Sequence, residues 1–500
     1  MKNIFLILFL LLVFQLEAKE NIKYKNLISK GENYLYNFEF EECNKIIDQA
    51  AKLDSTRPEA YQLKSKIYLW YYLGSKSESD YDKFFDYSDT TIHKIDELIA
   101  KESGNKNLIY LLGNIYKYRA MAYGSKGNTL DAFWSTKKAV SFYEDVIDID
   151  PKFHSAFGGI GIFEYALSYV PALFNWALAL SGLSADQQNG FEYIKQAAEK
   201  GEIDQTEYKF HLSKLYDEHL ADFENSQIIL KSLIKKYPKN ILFQYQLAIE
   251  LIKLKKLNQA EKLLLRIIQV NHPKFIQTNS FSNFLLGDIY LRKSEYELAF
   301  EYYDKFLTST QTIDYTGIAS LRAAYCNYFL HNDSEFNRYL LLAGNGNHDI
   351  EDDKFAFDMS QIIIEKGFSF ERQVLLESEN YFLSGDGQKS LEIIENNVDS
   401  LKNEDIKAQL LLYKGTILIE SNKLKLAEES FNNIDSLKIE YAYWIEPLRL
   451  FNLSKIYYMQ KNYKQAKEFL DLAEDKNDFQ KKNIIQAQIN GLRKKLEKSL

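Results

Sequence analysis

The sequence repeats itself, and that feature constrains the fold of these 500 residues more than any other. Leu112-Gly113-Asn114-Ile115-Tyr116 and Leu286-Gly287-Asp288-Ile289-Tyr290 share the pattern L-G-x-x-Y, and Ala299 and Tyr303 follow the second as A-x-x-x-aromatic. The logic of such a frame is steric. Small residues let two helices approach, and large ones fill the space around the contact. The frame recurs through Leu247, Ala248, Leu251, Ala260, Leu264 and Ile267, then through Gly415, Leu418, Ala427, Phe431 and Ile434, and again through Leu453, Tyr457, Ala466, Leu470 and Ala473. Near the start, Leu27, Gly31, Tyr34, Cys43, Ile47 and Ala50 fit it with cysteine in the small slot. Proline breaks helix interiors, and the chain has only six. Pro58, Pro151, Pro238, Pro273 and Pro447 are expected between the second helix of one unit and the first of the next. Units that pack only on their neighbours release a long chain from the size limit of a single core.

These motifs resemble the tetratricopeptide repeat. The resemblance implies an all-α fold, a right-handed superhelical solenoid of about ten helix-turn-helix units, several of them degenerate. A narrower resemblance spans residues 137–255. It rests on DIDPKFHSAFGGIG and on Gly190, Tyr193, Ile194, Ala197 and Ala198, which are spaced as G-x-x-Y-I-x-x-A-A. This stretch resembles bacterial tetratricopeptide proteins related to the inclusion-body-clearance family of eukaryotes, whose members associate with the mitochondrial outer membrane. It brings no catalytic residues and implies a scaffold or adaptor.

The chain is read as a signal peptide at 1–18, N-terminal repeats at 19–200, central repeats at 201–345, C-terminal repeats at 346–475 and a basic capping helix at 476–500. Lys2, the apolar run Ile4 to Phe14 and the small Ala18 form a secretory address, cut after Ala18. The run is shorter than the roughly 20 residues of a membrane span. The protein is therefore expected in the periplasm or outside the cell, with an uncleaved anchor as the alternative. Cys43 and Cys326 are expected as small buried residues rather than a disulfide.

Three stretches depart from the repeat. Ser75 to Asp89 is polar and acidic and reads as a long loop or a lengthened helix. Tyr165 to Leu183 is surplus to a standard unit and strongly apolar. Its Leu173, Phe174, Trp176 and Leu180 are expected to be buried against neighbouring repeats, and Phe174 and Trp176 are the candidates for partner contact if they are not. Gly344 to Asp353 reads as a loop, with a helix following near Lys354. At the end, Ile484, Ile485, Ile489, Leu492 and Leu496 can form one apolar stripe. Lys476 to Leu500 carries seven Lys/Arg and two Asp/Glu.

No constellation for catalysis, cofactor or metal holds together. The seven histidines contain no His-Glu-x-x-His, and His211 and His219 suggest no third ligand. Gly158-Gly159-Ile160-Gly161 lacks the Gly-Lys-Ser/Thr of a phosphate loop, so Gly161 reads as a close-packing position. The net charge of −8 argues against nucleic acid. The expected partners are other proteins or peptides, with membrane contact allowed by the apolar insertion but not required. The repeat-framework residues are Leu112, Gly113, Tyr116, Leu286, Gly287, Tyr290, Ala299, Tyr303, Gly415, Ala427, Phe431 and Ala466. Binding residues are expected at the other positions of the first helices. An envelope scaffold is the leading reading. A structural subunit docking through the insertion or the terminal helix is the alternative.

Overall fold

A computed structural model describes residues 2–168, 183 and 185–499, with side chains from Lys19 onward. Among the described residues every regular element is helical. The expected apolar side chains Leu173, Phe174, Trp176 and Leu180 lie outside them.

The chain divides into two compact units. The first comprises Met1–Ser213, Ile229–Phe243 and Pro273–Phe275; the second comprises Lys214–Ile228, Gln244–His272 and Ile276–Leu500. In the first, helix pairs follow one another: Lys2–Tyr36 with Phe40–Leu53, Glu59–Ser75 with Glu78–Ile99, Lys106–Ser125 with Thr129–Ile149, and His154–Leu167 with Gln187–Lys200. The polar stretch after Ser75 is a lengthened second helix. Its Asp80 is buried and pairs with Lys274 at 2.5 Å. The second unit pairs Ile276–Arg292 with Tyr296–Ser309, Thr316–Phe329 with Asp333–Leu342, Phe370–Ser384 with Gly387–Asn397, Glu404–Glu420 with Leu424–Asn432, and Ile445–Met459 with Tyr463–Asp475.

Steric exclusion at the small positions holds each pair together. A β-carbon on Gly113 would lie 2.6 Å from the Tyr143 ring, one on Gly287 2.7 Å from Tyr303, and one on Gly415 2.5 Å from Phe431. Tyr143 is gripped from both sides, since a β-carbon on Gly159 would lie 2.4 Å away. Gly161 meets the Gly190 carbonyl, so the glycine run is a helix–helix contact within His154–Leu167. Leu112, Leu286, Tyr290, Ala299, Tyr303, Ala427, Phe431 and Ala466 are buried. Tyr116 is half-buried and stacks on Phe142. Cys43 and Cys326 are both buried free thiols, and Cys43 Sγ donates to the Gly31 carbonyl.

Three expectations need correction. Pro447 lies inside the helix Ile445–Met459 rather than before it, in the first turn, where backbone N–H groups have no intrahelical acceptor. The acidic run after Gly344 enters a helix sooner than expected. The helix Glu351–Lys366 begins at the acids themselves, and buried Asp353 accepts the backbone N–H groups of Ile318 and Asn347 at 2.9 Å. Ile484 does not join the apolar stripe of the terminal helix Lys482–Glu497. Ile485, Ile489, Leu492 and Leu496 are buried, whereas Ile484 is 61% exposed. The stripe packs into the last repeats, in one cluster with Leu453, Ile456, Leu470 and Ala473, and Gly491 lies against the start of the same unit, where a β-carbon on it would lie 2.1 Å from the Leu220 carbonyl oxygen.

Candidate functional site

The interior-facing residues of the first helices meet in both units, with opposite results. In the first unit they close on one another. Lys66 Nζ, on the helix Glu59–Ser75, lies 3.1 Å from Asp204 and 3.3 Å from Glu207, at the start of the helix Gln205–Glu218. Lys117 Nζ, on Lys106–Ser125, lies 2.6 Å from Glu207. The remaining acceptor sites are taken too. Tyr118 donates to Glu207 at 2.9 Å, and Asn114 and Tyr110 donate to Asp204 at 2.8 and 3.2 Å. Tyr208 bonds Tyr110 and the Ser155 carbonyl. Lys66 also donates to Tyr36.

Burial alone would hold Glu207 neutral. The Lys117 and Lys66 ammonium groups, helped by His211, overrule it and hold its carboxyl below the usual carboxylate range. Burial likewise opposes the charge on Lys66, and Asp204, Tyr36 and Glu207 push its pKa well above the usual value. Asp204 reaches this arrangement at φ 56°, in the left-handed region. Aspartate tolerates that region better than most residues, and the strain is of order 1 kcal/mol.

In the second unit the corresponding surface leaves a cavity of about 200 Å³. Its walls come from the helices Ile276–Arg292, Thr316–Phe329, Phe370–Ser384 and Glu404–Glu420, from the unpaired helix Glu351–Lys366, and from the turn before the terminal helix. Arg322 pairs with Asp288 at 2.7 Å, and Asp288 also accepts from Tyr303 at 2.6 Å. Glu379 accepts from Tyr413 at 2.6 Å. Among the described residues, Arg292 has no carboxylate or carbonyl within bonding distance, and the Lys481 ammonium meets the face of Trp444, 3.6 Å from its centroid. Burial holds both cations below their usual pKa against the opposing pull of Asp288 on Arg292 and of Glu379 and Asp352 on Lys481, and neighbouring Arg322 adds to the lowering in each case. Asn380 is 3% exposed and its Nδ2 has no partner. Gln480 Oε1 is buried and likewise unpartnered.

The model of the family described as Iml2/Tetratricopeptide repeat protein 39 matches residues 37–312, more than half of the chain. The chain belongs to the Iml2/tetratricopeptide repeat protein 39 family. The match extends to both sides of residues 137–255, where the sequence motifs of this relationship are densest. No curated protein matches the sequence. Among solved structures, this Iml2/tetratricopeptide repeat 39 chain is similar to PilF of Pseudomonas aeruginosa, with 15% identity, a TM-score of 0.33, and 52% of this chain and 95% of that one covered. It is similar to yeast Tom70, with 12% identity, a TM-score of 0.29, and 95% and 97% covered. It is also similar to the Cut9–Hcn1 hetero-tetramer of the APC/C, with 15% identity, a TM-score of 0.29, and 95% and 91% covered. At this level the likeness is one of helical architecture alone.

Framework residues carry the Iml2/tetratricopeptide repeat 39 fold, and the polar residues between them carry the difference between the two interiors. Sequence reasoning expected binding residues at the non-framework positions of the first helices and named none of Arg292, Asn380 and Lys481, the last of which lies on the turn before the terminal helix. Each is a common polar type on a helix or turn, and only the fold brings the three to one cavity.

Proposed function

We propose that this protein is a non-enzymatic protein-interaction scaffold of the cell envelope, exported through residues 1–18 and holding a partner in the cavity of its second unit. The observation that carries the reading is the contrast of interiors. The first unit pairs Lys66, Lys117, Asp204 and Glu207 with one another, whereas in the second, among the described residues, Arg292 and Lys481 form no ion pair and Asn380 Nδ2 has no acceptor. Repeat solenoids bind peptides or helices of partners along their first helices. Export is supported by Lys2, the run Ile4 to Phe14 and Ala18. Docking through the terminal helix is the weaker reading, because its apolar stripe is already buried in its own unit.

Cross-linking in intact cells, read by mass spectrometry, tests the proposal. Partner cross-links are expected at Glu351, Asp352 and Lys481 and not at Lys66 or Lys117. Cross-links spread evenly over both units would refute it. A mature N-terminus at Lys19 in the envelope fraction is the expected result for export. An intact Met1 there would favour the anchored alternative.

A further inference from the structure

The terminal helix Lys482–Glu497 touches two places far apart in the chain, and it holds them unequally. Toward the last repeats the hold is broad. Ile485, Ile489, Leu492 and Leu496 share one apolar cluster with Leu453 and Leu470, and Arg493 pairs with Asp471 at 2.7 Å and with Glu474 at 2.6 Å. Toward the start of the second unit the hold is a narrow seam. Asn490 Nδ2 donates to the His219 carbonyl at 3.2 Å, across 271 positions, and Gly491 packs directly on the Leu220 carbonyl, where a β-carbon would lie 2.1 Å away. His219 and Leu220 form the turn after the helix Gln205–Glu218, so Asn490 also answers a carbonyl at that helix end. The second unit thereby closes on its own start.

A buried imidazole sits in this seam. His219 is 7% exposed, and Lys494, one turn beyond Asn490 on the same helix face, faces it. The end of Gln205–Glu218 attracts one positive charge, and Lys494 brings it. Burial first, and then that ammonium, disfavour a second charge on the imidazole and hold His219 below the usual histidine range. The acids around the turn are engaged elsewhere: Asp217 pairs with Lys253, Glu218 with Lys214, and Asp222 accepts from Asn225. Glu250 offers no charge in mild acid, because burial and Asp217 push its carboxyl up to about 8.

We propose that this seam is a latch: it is closed while His219 is neutral, and in mild acid, when His219 takes a proton from solvent beside Lys494, it opens while the terminal helix stays on the last repeats. The closed seam disfavours the imidazolium and the open one does not. Its stability is therefore complete above the ordinary histidine value of about 6.5 and falls as pH drops below it. Gln480, Lys481 and Ile484, at the start of the same helix, line the cavity, so the latch governs how tightly the second unit's interior is closed. The latch does not depend on what that interior binds.

Hydrogen exchange of the full chain at about pH 7.5 and about pH 5.5, corrected for the intrinsic effect of pH, tests this. The backbone N–H groups of His219, Ala221 and Asp222, which close the end of Gln205–Glu218, should exchange several-fold faster at the lower pH, while Tyr463–Asp475 stays protected. His219→Gln, which cannot charge, should abolish the response, and Lys494→Met should shrink it, since burial remains. Glu250 contributes a slope of the opposite sign that His219→Gln leaves intact, so the difference between wild type and variant isolates His219. Gly491→Ala pushes the seam apart at any pH and should show the open pattern already at the higher pH. A wild type without an acid response, or a His219→Gln variant that responds like the wild type, overturns the trigger. A Gly491→Ala variant that stays closed, or that exposes the last repeats together with the turn, overturns the latch itself.

Discussion

The helices Lys106–Ser125 and Ile276–Arg292 carry the same five-residue pattern, bury it in the same way, and then diverge. Gly113 admits Tyr143 as Gly287 admits Tyr303. Even the next residue plays the same part: Asn114 Oδ1 accepts from the Tyr143 hydroxyl at 2.8 Å, and Asp288 Oδ1 from Tyr303 at 2.6 Å. One turn later the likeness ends. Lys117 and Tyr118 in the first unit both bond Glu207, whereas the matching positions hold Leu291 and Arg292, and Arg292 forms no ion pair among the described residues. One frame, fixed by sterics, supports paired interior charges in one unit and cations without an ion-pair partner in the other. The choice rests on the few polar residues the frame leaves free.

Cutting a charge from each interior gives the largest expected effect. Lys117→Met leaves Glu207 buried with one cation removed, and breaking such a pair costs about 3–5 kcal/mol. Arg292→Met removes a half-buried cation whose burial outweighs the pull of Asp288 and which forms no direct ion pair among the described residues, so it should leave stability unchanged or slightly raise it. Urea unfolding of the full chain, with hydrogen exchange assigning the loss to each unit, reads both. Equal losses would mean that Arg292 has a structural partner and that the two interiors are not different in kind.

Acid and base should then pull the units apart. Glu207 is held below the usual carboxylate range, so its contribution is complete above the unfolded value of about 4.3 and is lost as pH falls through the folded value. In the second unit, Glu250 is fully buried and its pKa is pushed up to about 8, first by burial and then by Asp217. Its contribution is complete below about pH 4.3 and is lost as pH rises through the folded value. Glu32 of the first unit, raised to about 7 by burial and Asp204, adds a fall of the same sign there. Hydrogen exchange between pH 5 and 8.5 should show the second unit loosening, by an amount of order a few kcal/mol that Glu250→Gln abolishes. Below pH 4 the first unit should loosen, and Glu207→Gln should remove that acid limb. A second unit whose slope is unchanged in Glu250→Gln would place the titration elsewhere.

The shared frame gives a smaller and symmetric effect. Gly113→Leu and Gly287→Leu each force a side chain into an aromatic ring, which typically costs about 1–3 kcal/mol in each unit. Thermal melting with unit-resolved exchange checks this, and a tolerated Gly287→Leu would show that the frame is misplaced there. This contrast also explains what was readable in advance. Gly113, Tyr143, Gly287 and Tyr303 announce themselves because a steric contact between neighbours admits few residue types. Lys66 and Glu207 do not: each is an ordinary charged residue on a helix, and they are 141 positions apart. No local pattern distinguishes a lysine facing water from one facing a distant acid. The same holds for Arg292 and Lys481. Pro447 misled for a related reason, since the first turn of a helix accepts proline as readily as the linker before it.

The smallest effect lies in the turns that follow these two helices. Gly127 and Ser294 occupy the same place, at φ 83° and 60°. Both turns close with the same backbone bonds: Gly127 and Ser294 donate three residues back, and Asn128 and Glu295 five residues back, to Tyr123 and Tyr290. The left-handed conformation costs a non-glycine residue about 1–2 kcal/mol, and glycine returns about 0.5–1 kcal/mol of that through its greater freedom when unfolded. Ser294→Gly should therefore stabilise the second unit by about 0.5 kcal/mol, and Gly127→Ser should weaken the first by a similar amount. Urea titration of both variants measures the pair. Opposite signs of matched size would show that the turns, like the Gly–Tyr contacts, are interchangeable between the units. The difference between paired and unpaired interior charges would then rest on the polar residues alone. A stability loss in Ser294→Gly would instead show that the Ser294 side chain holds a contact that matters more than the backbone strain, and the equivalence of the two helix pairs would end at the turn.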